Sequence, residues 1–170
     1  MKRLGDLVLM CAIGVTAPAH AEVVSASDSH FTLRHDGHTS RSVEDTWQRL
    51  IRPSSWWDPR HSYSGDAANI SLELEVGGLW REDWDGGSVA HGTVLFIDEE
   101  KTLRLEAPFG PLQGMGAYVV WTITLEAAEE GTNVVFEESA IGPAGANYQA
   151  MAEAVDGVKT EAMRNLTAEK

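Results

Sequence analysis

Cysteine is nearly missing from this sequence: its one thiol, Cys11, lies in an apolar stretch close to the start of the chain. A single thiol excludes an intrachain disulfide and every cysteine-based metal cluster. Also missing are G-x-S-x-G, the phosphate loop G-x-x-x-x-G-K-[ST], a G-x-G-x-x-G leading into a helix, H-E-x-x-H and an EF-hand loop. Together these gaps remove the common serine hydrolases, nucleotide enzymes and zinc peptidases, and no cofactor motif takes their place, so none is expected. Positive charge is scarce as well, with 13 Lys and Arg against 26 Asp and Glu and a net charge of −13. So acidic a surface repels phosphate backbones and anionic headgroups, which argues against nucleic acid or a membrane surface as partner. Its simplest role is to keep the protein soluble. A bilayer span needs about 20 consecutive apolar residues, and no such run occurs.

The N-terminus carries a different signal. Lys2 and Arg3 are followed by an apolar run from Leu7 to Val15, and Ala19-His20-Ala21 sets small residues at −3 and −1 of a cleavage site. Residues 1–21 therefore read as a secretory signal peptide, with Asp6 the one residue out of pattern. A cut after Ala19, using Ala17-Pro18-Ala19, is the alternative. Export to a periplasm or to the outside of the cell is the expectation. Cys11 would leave with the signal, and residues 22–170 would form one domain large enough for its own core.

No repeat, low-complexity tract or linker divides that domain. Phe31-Thr32-Leu33 reads as a first strand ending at Asp36-Gly37. Ser42, with Asp45 three residues on, is suited to cap a helix carrying Val43, Trp47, Leu50 and Ile51, and Pro53 ends it. Ile70 to Val76 alternates almost perfectly, which predicts a strand with Ser71, Glu73 and Glu75 outward. Further strands are expected at 79–84, 89–97, 103–107, 118–126 and 133–140, separated by short turns that imply antiparallel neighbours. Tyr148, Met151, Ala152, Val155, Val158, Ala162, Met163 and Leu166 recur at steps of three and four, the pattern of a long amphipathic helix that Asn147 can cap. Gly157 in its middle costs about 1 kcal/mol relative to alanine. It either lets another group approach closely or is merely tolerated. A long helix lying on a curved antiparallel sheet is the α+β architecture that buries both apolar faces.

The order of these elements, with Trp47-Gln48-Arg49-Leu50-Ile51, Pro53, Trp56-Trp57, Leu74-Glu75-Val76-Gly77-Gly78-Leu79-Trp80 and His91-Gly92-Thr93-Val94, resembles the START/Bet v 1-like superfamily. Gly131-Thr132 before a strand completes the pattern. The closest resemblance within it is to the polyketide cyclase and Hsp90-activator-homology branch, the SRPBCC proteins. It implies a helix-grip fold: a seven-stranded sheet around the C-terminal helix, with a cavity between them for lipids, polyketides or aromatic compounds. Fold does not fix function here. The leading expectation is a binder of a small apolar or aromatic ligand. A cyclase or dehydratase using the same cavity, and a protein-interaction module, are the alternatives.

Six tryptophans are available to fill a core or line such a cavity. Trp47 and Trp121 are expected in the core. Adjacent Trp56 and Trp57 are expected to diverge, one under the sheet and one toward the cavity mouth or solvent. The loop Pro108 to Gly116 has the composition of a gate tipped by Phe109 and Met115. The expected ligand contacts are Trp57, Trp80, Trp84, His91, Phe109, Met115, Tyr148 and Met151. For catalysis the candidates are Glu82, which shares a strand face with two indoles that would raise its pKa, and His91 as donor or base. His35 and His38 lack further ligands at metal-site spacing, so no metal is expected. The sequence leaves the oligomeric state open.

Overall fold

The computed structural model describes residues 20–169, so the expected signal peptide lies outside the described residues except for its last two positions. Eight strands form one antiparallel sheet: β1 (His20–Ala26), β2 (His30–Thr39), β3 (Ile70–Leu72), β4 (Leu79–Trp84), β5 (Gly87–Asp98), β6 (Thr102–Glu106), β7 (Tyr118–Ala127) and β8 (Thr132–Ile141). Their order across the sheet is β1-β2-β8-β7-β6-β5-β4-β3. Helix α1 (Val43–Leu50) follows β2, one turn of helix α2 (Pro111–Gly114) lies between β6 and β7, and the long α3 (Tyr148–Thr167) closes the chain. The helix-grip α+β architecture is the one expected, with one strand more. The additional strand is β1, an edge strand whose register slips between Val23 and Ser25 and whose residues Glu22 to Ser25 are all exposed. A bulged edge strand needs no alternation, so its sequence carries no strand signal.

Elsewhere the alternation does select the buried face. Val119, Trp121, Ile123 and Leu125 point inward on β7, as do Val134, Phe136 and Ala140 on β8. Ser42 caps α1 by accepting from Asp45 N at 3.1 Å, and Trp47 and Leu50 anchor that helix in the core. Asn147, in a left-handed conformation, caps α3. Gly157 is exposed, with nothing near the position a Cβ would occupy, so it is tolerated and serves no close approach. That role belongs to Gly37 on β2, where a Cβ would collide with Met163 of α3.

The strand expected over residues 70–76 stops at Leu72. Residues 73–78 form the reversal into β4, with Glu75 N donating to Glu73 O and Gly78 N to Glu75 O, and Gly77 takes φ +89°. This reversal leaves Val76 71% exposed instead of buried.

Candidate functional site

A cavity of about 490 Å³ opens between α3 and the two loops that precede β3 and β7. Trp57, Phe109 and Leu112 supply one wall, and Met151, Val155 and Val158 supply the other from successive turns of α3. His61, Pro111 and Ala154 are exposed and mark the mouth. Glu138 of β8 and Lys159 of α3, each 2% exposed, form the floor. The size and the mostly apolar lining are those of a small-molecule site.

The walls are held from behind. Trp57 donates Nε1–H to His61 O at 3.1 Å, which fixes both residues of the loop. Its ring meets Trp80 at 5.5 Å and Phe109 at 5.3 Å, both edge-on, and Phe109 in turn packs on Trp121 at 5.8 Å. Edge-to-face aromatic pairs of this kind add about 0.5–1.5 kcal/mol each beyond area burial. Gln113 donates to Ala90 O at 2.7 Å and fastens α2 to β5. Arg60 bridges Asp58 and Glu161, tying the Trp57 loop to α3.

On the floor, Lys159 Nζ lies 2.7 Å from Glu138 Oε2. Three rings surround the ammonium, with Trp121 nearest at 3.1 Å from Nζ to the ring centroid and Phe109 at 4.9 Å. Burial pushes the Lys159 pKa down, and the attraction of Glu138 opposes this only in part. A second, part-buried pair lies one turn back along α3, where buried His35 Nε2 meets Asp156 Oδ1 at 2.9 Å. Burial lowers the His35 pKa too, and Asp156 opposes the shift.

Of the eight expected ligand contacts, the structure brings Trp57, Phe109 and Met151 together around the cavity. Trp80 lies behind them as a fully buried support. His91 packs edge-on against Phe109 at 5.4 Å and does not line the cavity. Trp84 does not line the cavity; it stacks on Tyr63, a lining residue, at 6.4 Å. Met115, just after α2, and Tyr148, fully buried at the start of α3, do not line the cavity: both pack around Phe31 in an apolar cluster that the wall residues Leu112, Met151 and Val155 also join. Trp56 and Trp57 do not diverge as expected: their rings meet edge-on at 5.7 Å and both pack on Trp80 in one buried cluster. The chain here is a loop and short 3-10 turn that imposes no strand or helix alternation, and of the two only Trp57 lines the cavity. His38 is exposed and contacts Glu130 O, far from the partner chosen by His35.

Glu82 reverses the expectation of a raised pKa. Burial does push it up, yet hydrogen bonds from Ser64, Tyr63 and His91 outweigh burial and hold it at about 2. The carboxylate accepts from Tyr63 N at 3.0 Å, Ser64 N at 2.5 Å and Ser62 Oγ at 3.0 Å, and it pairs with His91 Nε2 at 2.9 Å. A carboxylate so fully engaged is a poor proton donor near neutral pH. Its work is to pin residues 62–64 beneath the cavity wall.

Glu138 and Lys159 were not among the expected site residues, though both carry a readable signal. Glu138 occupies an inward place in the alternation Val134, Phe136, Glu138, Ala140, and Lys159 falls within the apolar stripe between Val155 and Ala162. Two opposite charges, each on the buried face of its own element, mark a pair. Among the described residues no cluster of three or more His, Cys, Asp or Glu could hold a metal ion.

Comparison with known proteins bears on the fold and the family. A family model described as Activator of Hsp90 ATPase homolog 1-like protein matches residues 40–169. No curated protein matches the sequence. Among solved structures, a protein from Rhizobium leguminosarum is 19% identical with a TM-score of 0.57, and the match covers 90% of this chain and 100% of that one. One from Mycobacterium smegmatis is 16% identical with a TM-score of 0.58, covering 88% and 96%. The Aha1 dimer from Colwellia psychrerythraea is 18% identical with a TM-score of 0.56, covering 82% and 98%. At these identities the likeness is one of fold.

Proposed function

The chain belongs to the Activator of Hsp90 ATPase homolog 1-like family, and on that footing we propose that it binds a small apolar or aromatic ligand between the sheet and α3. The observation that carries this reading is the cavity of about 490 Å³, walled by Trp57, Phe109, Leu112, Met151 and Val158. Burial of apolar ligand surface supplies the affinity, at roughly 25 cal/mol per Å² before the costs of association. The cyclase-type reading keeps the cavity but loses Glu82 as its general acid, since that carboxylate is held at about 2.

The test is uptake of the neutral fluorescent probe N-phenyl-1-naphthylamine. Saturable binding at one site is expected, and Ala154→Trp, placed at the exposed mouth, should abolish it while thermal unfolding stays unchanged. Uptake that survives the plug would mean that the probe binds elsewhere.

Export is part of the same proposal and rests on Lys2, Arg3, the apolar run Leu7 to Val15 and Ala19-His20-Ala21. The mass of the protein recovered outside the cytoplasm tests it. A cut after Ala19 leaves all of β1, whereas a cut after Ala21 removes its first two residues. Full-length chain retained in the cytoplasm would refute export.

A further inference from the structure

The floor of the cavity is polar but electrically balanced, and we propose that it selects a ligand whose inner end is an uncharged hydroxyl, phenolic or alcoholic. This rests on the cavity reading above and narrows its ligand class.

Lys159 Nζ and Glu138 Oε2 are 2.7 Å apart, and each side chain is 2% exposed. The contact is an ion pair without hydrogen-bond alignment, and neither atom has an aligned partner among the described residues. An ammonium carries three N–H donors and a carboxylate can accept about four hydrogen bonds, so both keep unused capacity. The rings of Trp121 and Phe109 satisfy part of the ammonium's charge but none of its hydrogen-bonding geometry. Both side chains line the cavity while Nζ and Oε2 themselves are sealed from solvent, so a ligand that presses its polar end into the floor reaches donor and acceptor side by side.

Each class of head group fares differently there. A carboxylate drawn to Lys159 comes to lie beside Glu138, and an ammonium drawn to Glu138 comes to lie beside Lys159. Either also gives up its hydration in an apolar pocket. A hydrocarbon leaves both protein groups unsatisfied. A ketone or aldehyde accepts from Lys159 and offers Glu138 nothing. A hydroxyl accepts from Nζ through its lone pairs and donates its O–H to the carboxylate, completing both at no cost in charge. The aromatic walls favour a ring bearing that hydroxyl.

Isothermal titration calorimetry at pH 7 tests this with four probes on one scaffold: 2-naphthol, 2-methylnaphthalene, 2-naphthoate and 2-naphthylmethylammonium. The expected result is that 2-naphthol binds about 10-fold tighter than each of the others. In the double variant Lys159→Met/Glu138→Leu, which replaces the pair by apolar side chains of similar volume, that preference should vanish. Equal affinity for 2-naphthol and 2-methylnaphthalene would overturn the hydroxyl assignment and leave the apolar-cavity reading standing. Tightest binding of 2-naphthoate would overturn it in favour of Lys159 as an anion anchor. Failure of all four probes to bind would remove the cavity reading and this inference with it.

Discussion

Two carboxylates on inward strand positions, Glu82 on β4 and Glu138 on β8, are both out of solvent and each is paired with one basic side chain. They differ in what else they touch. Glu82 receives three hydrogen bonds from residues 62–64 in addition to His91, so its capacity is spent on holding a loop. Glu138 has Lys159 and the cavity. A buried charge that is fully hydrogen-bonded rigidifies its surroundings, whereas one left partly unsatisfied carries a cost, which on the proposal above a ligand relieves. On the proposed reading, the same residue type at inward strand positions serves structure on β4 and recognition on β8.

The contrast can be broken most sharply at Lys159. Lys159→Met leaves Glu138 buried without its countercharge and should cost about 3–5 kcal/mol in urea unfolding. Lys159→Met/Glu138→Leu should recover most of that loss, and a double variant as unstable as the single one would refute the pairing.

Glu82 offers the next largest effect. Its folded pKa of about 2 lies below its ordinary 4.5, so the folded state keeps the charge where the unfolded chain begins to protonate. The resulting stability, about 3 kcal/mol, is complete above pH 4.5 and is lost as the pH falls through about 2. Glu82→Gln should therefore flatten the acid limb of a stability-against-pH curve measured by thermal unfolding. An unchanged limb would show that the bonds to residues 62–64 do not hold the charge.

Ligand uptake separates wall from support. Met151→Ala should weaken binding of N-phenyl-1-naphthylamine about 10-fold by removing apolar contact. Trp84→Ala, one shell further out, should change it less than about twofold, and the reverse order would relocate the site. Gly157→Ala should leave uptake unchanged and raise stability by about 1 kcal/mol in thermal unfolding, because the position is helical, exposed and uncrowded.

The sequence makes the grip architecture legible where periodicity is strong. The alternation in β7 and β8, the Ser42 cap and the stripe of α3 all specify what forms. It misleads at Leu74 and Val76, where an alternating pattern occupies a reversal because β4 must begin at Leu79. In the site, Trp57, Phe109 and Met151 are readable as large apolar groups near a loop or on a stripe. Tyr148 and Met115 look equivalent in sequence but do not line the cavity, although they pack in the same apolar cluster as Met151, since only the three-dimensional packing of α3 and the loop around α2 decides which apolar groups face the opening. Lys159 and Glu138 were readable as misplaced charges, although their meeting depends on α3 lying across β8, a contact between distant segments that periodicity alone does not specify.

The most direct test of the central claim is native mass spectrometry of the protein isolated from its own host, paired with a denatured run. The account predicts a stoichiometric extra mass that disappears on denaturation and whose compound is largely apolar. A bare mass, together with no saturable uptake of neutral apolar probes by the purified protein, would contradict it.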